Sequence, residues 1–302
     1  MHDGAVAVMS NDGSILASSG DIDQPYYLRS AAKPFQALVA QQEGAALEPQ
    51  LLAMAAASHD GEPVHVALVE SMLRAVGLES SDLQCPSSWP LSESATARLH
   101  REGRDEMERV WNNCSGKHAA WLRACRAKGW PVASYLAPDH PIQLQVVDLV
   151  SDLGEFAVSP VGVDGCGAPV LRTTTRAMAL LYARLATLPL LAEVFAAMHR
   201  YPALVSGTGN GDATLATVLN AAAKRGAAGC LGVSIEGRLG IAVKSWDGLQ
   251  EIAVTGMIAT LATLGELPEH ATALLAPLAR PKVLGGDRSV GQLEPRVELR
   301  WT

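Results

Sequence analysis

The chain has 302 residues, 48% hydrophobic and 18% charged, a globular composition with enough length to bury a sizeable core. Its formal net charge of −7, without a dense Lys/Arg block or aromatic–basic interleaving, argues against nucleic acid and anionic membrane surfaces as partners. No apolar run approaches the roughly 20 residues needed to span a bilayer, and Met1-His2-Asp3-Gly4 lacks the basic-then-apolar order of a signal peptide, so a cytoplasmic protein is expected.

In chain order, Ala5 to Met9 reads as a buried strand, Asn11-Asp12-Gly13 as a turn, and Ile15 to Ser18 as the returning strand. Ser30 suits a helix N-cap, with Ala31 to Gln41 as the helix and Pro34 in its first turn. Pro49 opens a second helix that ends near Ser58-His59-Asp60-Gly61, and Pro63 opens a third that stops at Gly77. A turn-rich stretch from Ser80 to Ser94 precedes a helix to Glu102. Trp111 to His118 is a polar loop entering a helix that stops at Gly129. Gln143 to Leu153 reads as helix and Val158 to Gly165 as extended chain. Ala177, Leu181, Leu185 and Leu188 share one face of an amphipathic helix, and Val194 to His199 forms another. Ser206 to Asp212 is a glycine-rich loop without a Walker lysine, read as a substrate-side loop or a simple turn. Ala213 to Lys224 reads as helix, Cys230 to Ile235 and Leu239 to Lys244 as a hairpin, and Ile252 to Leu264 as a last apolar helix.

Strands cluster at the ends and helices fill the middle, an α+β pattern in which both termini feed one antiparallel sheet. The expected organisation is one domain over residues 1–302, with a helical region at about 62–160 and sheet from about 4–19 and 228–245. The first helix is expected to pack on that sheet.

Three groups carry chemistry. Ser30 and Lys33 share one face of a helix, so the amine can serve the hydroxyl as base if it is neutral. Ser58-His59-Asp60-Gly61-Glu62 is a polar cluster closing a helix. The third group is Cys114 with Lys117 and His118, together with Cys166 in Asp-Gly-Cys-Gly. An odd number of spread cysteines argues against a disulfide framework and leaves core thiols, metal ligands or a nucleophile; Cys85, Cys125 and Cys230 read as core thiols. Spacing alone matches no common zinc pattern.

Taken together, five stretches in order resemble the bacterial asparaginase II-like, thermolabile L-asparaginase family. They are Leu28 to Gln36, Ala57 to Glu62, Asn113 to Ala119, His140 to Gln143 and Val163 to Pro169; weaker matches lie at Ser206 to Gly209 and at Lys244 with Asp247-Gly248. The resemblance implies a serine β-lactamase/glutaminase-like fold, L-asparagine as substrate and a homodimer. It also implies a zinc ion on Cys114, Lys117 and Cys166, and two Ser–Lys pairs. The first pair is Ser30/Lys33; the second is Ser58 with Lys244, Lys224 being the competing lysine. Arg29, His118 and Asp164 match positions lining the family's site, and Cys230 a further cysteine near it. The chain departs from the family in a shorter N-terminal segment, in Pro86-Ser87-Ser88 after Cys85, and at Asp60, where a smaller residue is common. Which serine is acylated stays open at this level. The other enzymatic reading is a glutaminase or another amidase of the same fold; the non-enzymatic one is a silent, zinc-stabilised binding module.

Overall fold

The computed structural model describes residues 1–302. The first two strands, β1 (Gly4–Ser10) and β2 (Ile15–Ser19), form the expected hairpin. Its turn is set by Asp12, whose carboxylate accepts from the Ser14 backbone N–H and hydroxyl at 2.9 and 2.7 Å. Three later strands, β3 (Ala221–Gly226), β4 (Cys230–Ile235) and β5 (Leu239–Ser245), and a short C-terminal β6 (Arg300–Trp301), complete one antiparallel sheet in the order β6-β2-β1-β5-β4-β3. The join between the two ends of the chain is the β1–β5 ladder, from Gly4 opposite Ser245 to Ser10 opposite Leu239.

β3 corrects the expectation that Ala213 to Lys224 is one helix. The helix stops at Val218, and Ala221-Ala222-Ala223-Lys224 is an edge strand paired with β4. Alanine favours helix by intrinsic propensity, but pairing with a fully buried neighbour strand overrides that preference.

The sheet is covered on both sides. One face, with Val6, Val8, Ala221, Ala223, Leu231 and Val243, packs under the helices Gly211–Val218, Gln250–Thr263 and Ala271–Ala279. The other face, with Ala5, Ala7, Ala222, Cys230 and Ala242, joins the larger helical core. The helix lying against this face is Thr175–Thr187, and it sits close because the strands offer glycine there: a Cβ on Gly240 would lie 2.0 Å from the Ala183 nitrogen, and one on Gly232 2.3 Å from the Tyr182 ring. The helix after Ser30, Lys33–Ala40, is wholly buried among other helices, and the turn before it (Arg29–Ala32) is what touches β3 and β4.

Ser30 is not an N-cap. It lies inside a 3-10 turn, and no side chain caps the turn or the helix that follows. No single helix is long and apolar enough to cross a membrane.

Candidate active site

The site lies where the Arg29–Ala32 turn, the Ser58 loop, the entry to the helix Ser115–Lys128 and β3 meet. Lys33 is 1% exposed. Its Nζ donates to the Ala57 carbonyl at 2.5 Å, to Ser58 Oγ at 2.9 Å and to the Asn113 carbonyl at 3.3 Å. Burial pulls the Lys33 amine below its ordinary range, with Lys117 adding to the effect and Cys114 opposing it. Lys33 thus ties its own helix to the Ser58 loop and to the segment entering the helix Ser115–Lys128.

Ser58 is 4% exposed, and its backbone N–H donates to the Val205 carbonyl at 2.8 Å. Ser30 is partly exposed, and its hydroxyl makes no hydrogen bond. Lys33 therefore contacts Ser58 directly, while Ser30 stands three residues before it in the chain.

The second predicted pair is not formed. Lys244 lies on β5 opposite Cys230, and its Nζ donates to the Ala228 carbonyl at 2.7 Å and to the Ser245 carbonyl, beside the rings of Trp246 and Tyr26 at 5.2 and 5.5 Å. It does not meet Ser58. Lys224 shares the same sheet face but stands on the edge strand. There β3 is pressed so closely on the Ser30 turn that a Cβ on Gly226 would lie 2.4 Å from the Leu28 carbonyl oxygen and 3.1 Å from the Ala31 nitrogen. Lys224 is fully buried, and its amine is pushed down to about 7 by burial, with Asp212 opposing and Lys33 and Arg225 adding to the fall.

Lys224 belongs to a buried polar network that residue spacing did not reveal. Asp212 accepts from Ser206 Oγ at 2.5 Å, from the Arg225 N–H at 3.1 Å and from its own helix at the Ala213 N–H (3.2 Å), with Lys224 Nζ 3.6 Å away. Asn210 bridges outward: Arg225 donates to it at 2.9 Å, and it donates to Asp60 at 3.0 Å. The glycine-rich loop is thereby tied to both the Ser58 loop and β3.

On the other wall, Arg29 Nε is ion-paired to Asp164 at 2.5 Å. Lys117 Nζ donates to Cys166 Sγ at 3.3 Å and lies 4.6 Å over the Trp121 ring. Burial opposes its charge, but Cys166, Cys114 and Asp164 overturn that and hold the Lys117 amine above its ordinary value. Interaction between the neighbouring Cys114 and Cys166 thiols pulls Cys114 down and, together with burial, pushes Cys166 up, while Cys114 Sγ itself donates to Asn113 Oδ1 at 3.3 Å. His118 Nδ1 meets Tyr135 OH at 2.7 Å, while its Nε2 is buried without a hydrogen-bond partner; burial drives this imidazole down to about 4. No group of three or more His, Cys, Asp or Glu side chains is arranged to hold a metal ion. Gly116 explains the spacing of the motif. A Cβ there would lie 2.3 Å from the Met54 carbonyl oxygen, so only glycine lets this helix approach the one leading to Ser58.

His59 supports the loop. Its Nδ1 accepts from the Gly61 N–H at 3.1 Å, so Nε2 carries the proton and donates to Ser115 Oγ at 2.9 Å. Burial drives its pKa well down, which keeps it a neutral strut.

Among solved structures, the chain is similar to Mglu in its tris and glutamate form (17% identity, 87% of this chain and 59% of that one, TM-score 0.50). It is also similar to Mglu in its L-glutamate binding form (18%, 87% and 61%, TM-score 0.49) and to a Bacillus glutaminase (14%, 87% and 91%, TM-score 0.38). The chain spans about three fifths of the length of the Mglu chains. At these identities the likeness concerns the fold alone, an α+β architecture similar to that of Mglu. No curated protein matches the chain. The L-asparaginase II family model matches residues 1–295, nearly the whole sequence and every motif described above, and the chain belongs to that family.

Proposed function

We propose that the chain is an amidohydrolase that converts L-asparagine and water to aspartate and ammonia through an acyl-enzyme on Ser30. The observation that carries this reading is the Lys33 Nζ to Ser58 Oγ contact of 2.9 Å, an amine and a hydroxyl buried together, with the partly exposed Ser30 three residues before Lys33 in the chain. The deeply buried Ser58 suits a proton relay, and the partly exposed Ser30 suits attack on a substrate.

In this mechanism Ser30 Oγ forms a bond to the side-chain amide carbon and its proton passes to Lys33 Nζ. The tetrahedral species collapses with cleavage of the C–N bond; Lys33 returns the proton through Ser58 to the leaving nitrogen, which departs as ammonia. Water then attacks the acyl carbon and gives its proton to the same relay; the ester bond to Ser30 breaks as the relay returns that proton to Ser30 Oγ, and the carboxylate product leaves. Arg29, held through Nε by Asp164, offers its remaining N–H groups to the substrate α-carboxylate, and Asp164 meets the α-ammonium.

The donor set supports a zinc ion held by Cys114, Lys117 and Cys166. Two neighbouring free thiols and a buried amine converge there, and His118 Nε2 is an unpartnered nitrogen beside them. When bound, the ion would supply a fixed positive charge that orients the substrate's anionic end. Thiol and amine ligands must lose protons to bind, so zinc content measured after dialysis is expected to fall as pH is lowered, and Cys166→Ser to bind less zinc than the parent.

The deciding experiment is ammonia release from L-asparagine and from L-glutamine by the parent, Ser30→Ala and Ser58→Ala, with mass spectrometry of quenched reactions. The expected result is turnover with asparagine and an adduct on Ser30. Ser30→Ala should lose about 10³-fold or more in kcat, and Ser58→Ala about 10²-fold or more. Parent-like turnover by Ser30→Ala would falsify the mechanism.

A further inference from the structure

We propose that Asp212 is a positioning residue that holds Lys224 in the site and fixes its charge; this rests on the amidohydrolase reading. Both side chains are wholly buried, with Nζ 3.6 Å from the carboxylate. Asp212 cannot drift. One oxygen takes the Ser206 hydroxyl at 2.5 Å and the Ala213 N–H at 3.2 Å, and the other takes the Arg225 N–H at 3.1 Å. A carboxylate with three such donors stays ionised in a dry interior, and burial, the one opposing influence, is overturned by Lys224 and Arg225. Lys224 Nζ in turn donates to the Arg225 carbonyl at 3.1 Å, and its backbone carbonyl lies 3.5 Å from Tyr182 OH. The amine is thus pinned from the strand side and from the Asp212 side.

The charges facing Lys224 are Asp212 from the neighbouring helix, Arg225 on its own strand, Lys33 and Cys114 across the site, and Cys230 on β4. Lys33 and Arg225 disfavour an ammonium there, and Asp212 is the one carboxylate that favours it. Taking that negative charge away leaves two cations opposing Lys224. Asp212→Asn should therefore make Lys224 release its proton at lower pH, by about one unit or more for a buried pair at this separation.

The test labels lysine at Cε with ¹³C and follows the Lys224 resonance, assigned by its absence in Lys224→Met, against pH in the parent and in Asp212→Asn. Alongside it, kcat/KM for L-asparagine is measured across pH. The expected result is a parent titration near pH 7 that moves down by about one unit or more in Asp212→Asn. A Lys224 resonance that titrates at the same pH in both proteins overturns the proposal, whatever the turnover. A moved resonance with no amide turnover by the parent supports the pairing and overturns the amidohydrolase reading instead. If Asp212→Asn does not fold, coupling is read from the other side. In Lys224→Met the ¹³Cγ resonance of Asp212 must titrate at higher pH than in the parent, because the coupling is reciprocal. An Asp212 that does not move there overturns the proposal.

Discussion

Arg29 occupies a left-handed backbone conformation, φ 51°, immediately before Ser30. For a side chain with a Cβ this costs on the order of 1 kcal/mol or more, and it persists only where the surroundings hold it, here the ion pair with Asp164. Arg29→Gly removes the strain and the guanidinium together. The expected outcome is a KM for asparagine raised about tenfold or more with a smaller change in kcat, and a melting temperature not lower than the parent's, read by steady-state kinetics and thermal unfolding. At this scale much of the site was legible in the sequence. A hydroxyl and an amine three residues apart, a second serine in a polar loop, and thiols flanking a lysine are chemically conspicuous, and the structure brings Ser30, Lys33, Ser58, Cys114, Lys117 and Cys166 into one region. Which of Lys244 and Lys224 lies beside the Ser30 turn was not legible. Lys224 and Lys244 point to the same face of the same sheet, and only the strand order shows that Lys224 stands on the edge beside the Ser30 turn while Lys244 is taken up by the Ala228 and Ser245 carbonyls.

At the level of elements, the outcome turns on β3. Its alanines read as helix because local propensity says so, whereas the real determinant is the ladder from Ala221 opposite Ile235 to Gly226 opposite Cys230, which no local window contains. Gly226 is where this strand meets the turn carrying Ser30. Gly226→Ala would place a methyl 2.4 Å from the Leu28 carbonyl oxygen and 2.6 Å from Cys230 Sγ, so the turn must move. Loss of about 10²-fold or more in kcat/KM is expected, a displacement of an ångström at a reacting group being sufficient. The buried lysine on the same strand also links stability to pH. Lys224 binds its proton less tightly folded than unfolded, so between about pH 7 and the ordinary lysine range the unfolded chain holds the extra proton and stability rises with pH. Lys224→Met removes that slope. Urea unfolding at pH 7 and pH 9.5 should show the parent gaining on Lys224→Met at the higher pH; an equal gap at both values would contradict the assigned burial of a charge.

For the whole molecule, the α+β layout was readable because hydrophobic runs of strand length sit at the two ends of the chain and amphipathic helical runs lie between them. What the sequence could not show was the packing order: the first helix was expected against the sheet, yet Thr175–Thr187 occupies that place, since Gly232 and Gly240 leave room for its backbone. The sheet's outermost strand on the N-terminal side, β6, pairs only Arg300 with Ser18 and Trp301 with Ala17, and both its residues are exposed. Ending the chain after Leu299 should therefore leave asparagine turnover within about twofold of the parent and cost no more than about 1 kcal/mol, as surface changes away from a packed core do.

The β1–β5 ladder, Gly4 against Ser245, has a consequence in time. A nascent chain leaves the ribosome with β1 ahead of Ser30, Lys33 and Ser58, and none of these can be roofed until the segment bearing Asp212, Lys224 and Ser245 has emerged. Distant pairing of this kind is slow compared with local helix formation. On refolding from denaturant, helical circular dichroism should therefore recover well before ammonia release, and the interval between the two is the time the first strand waits for its partner.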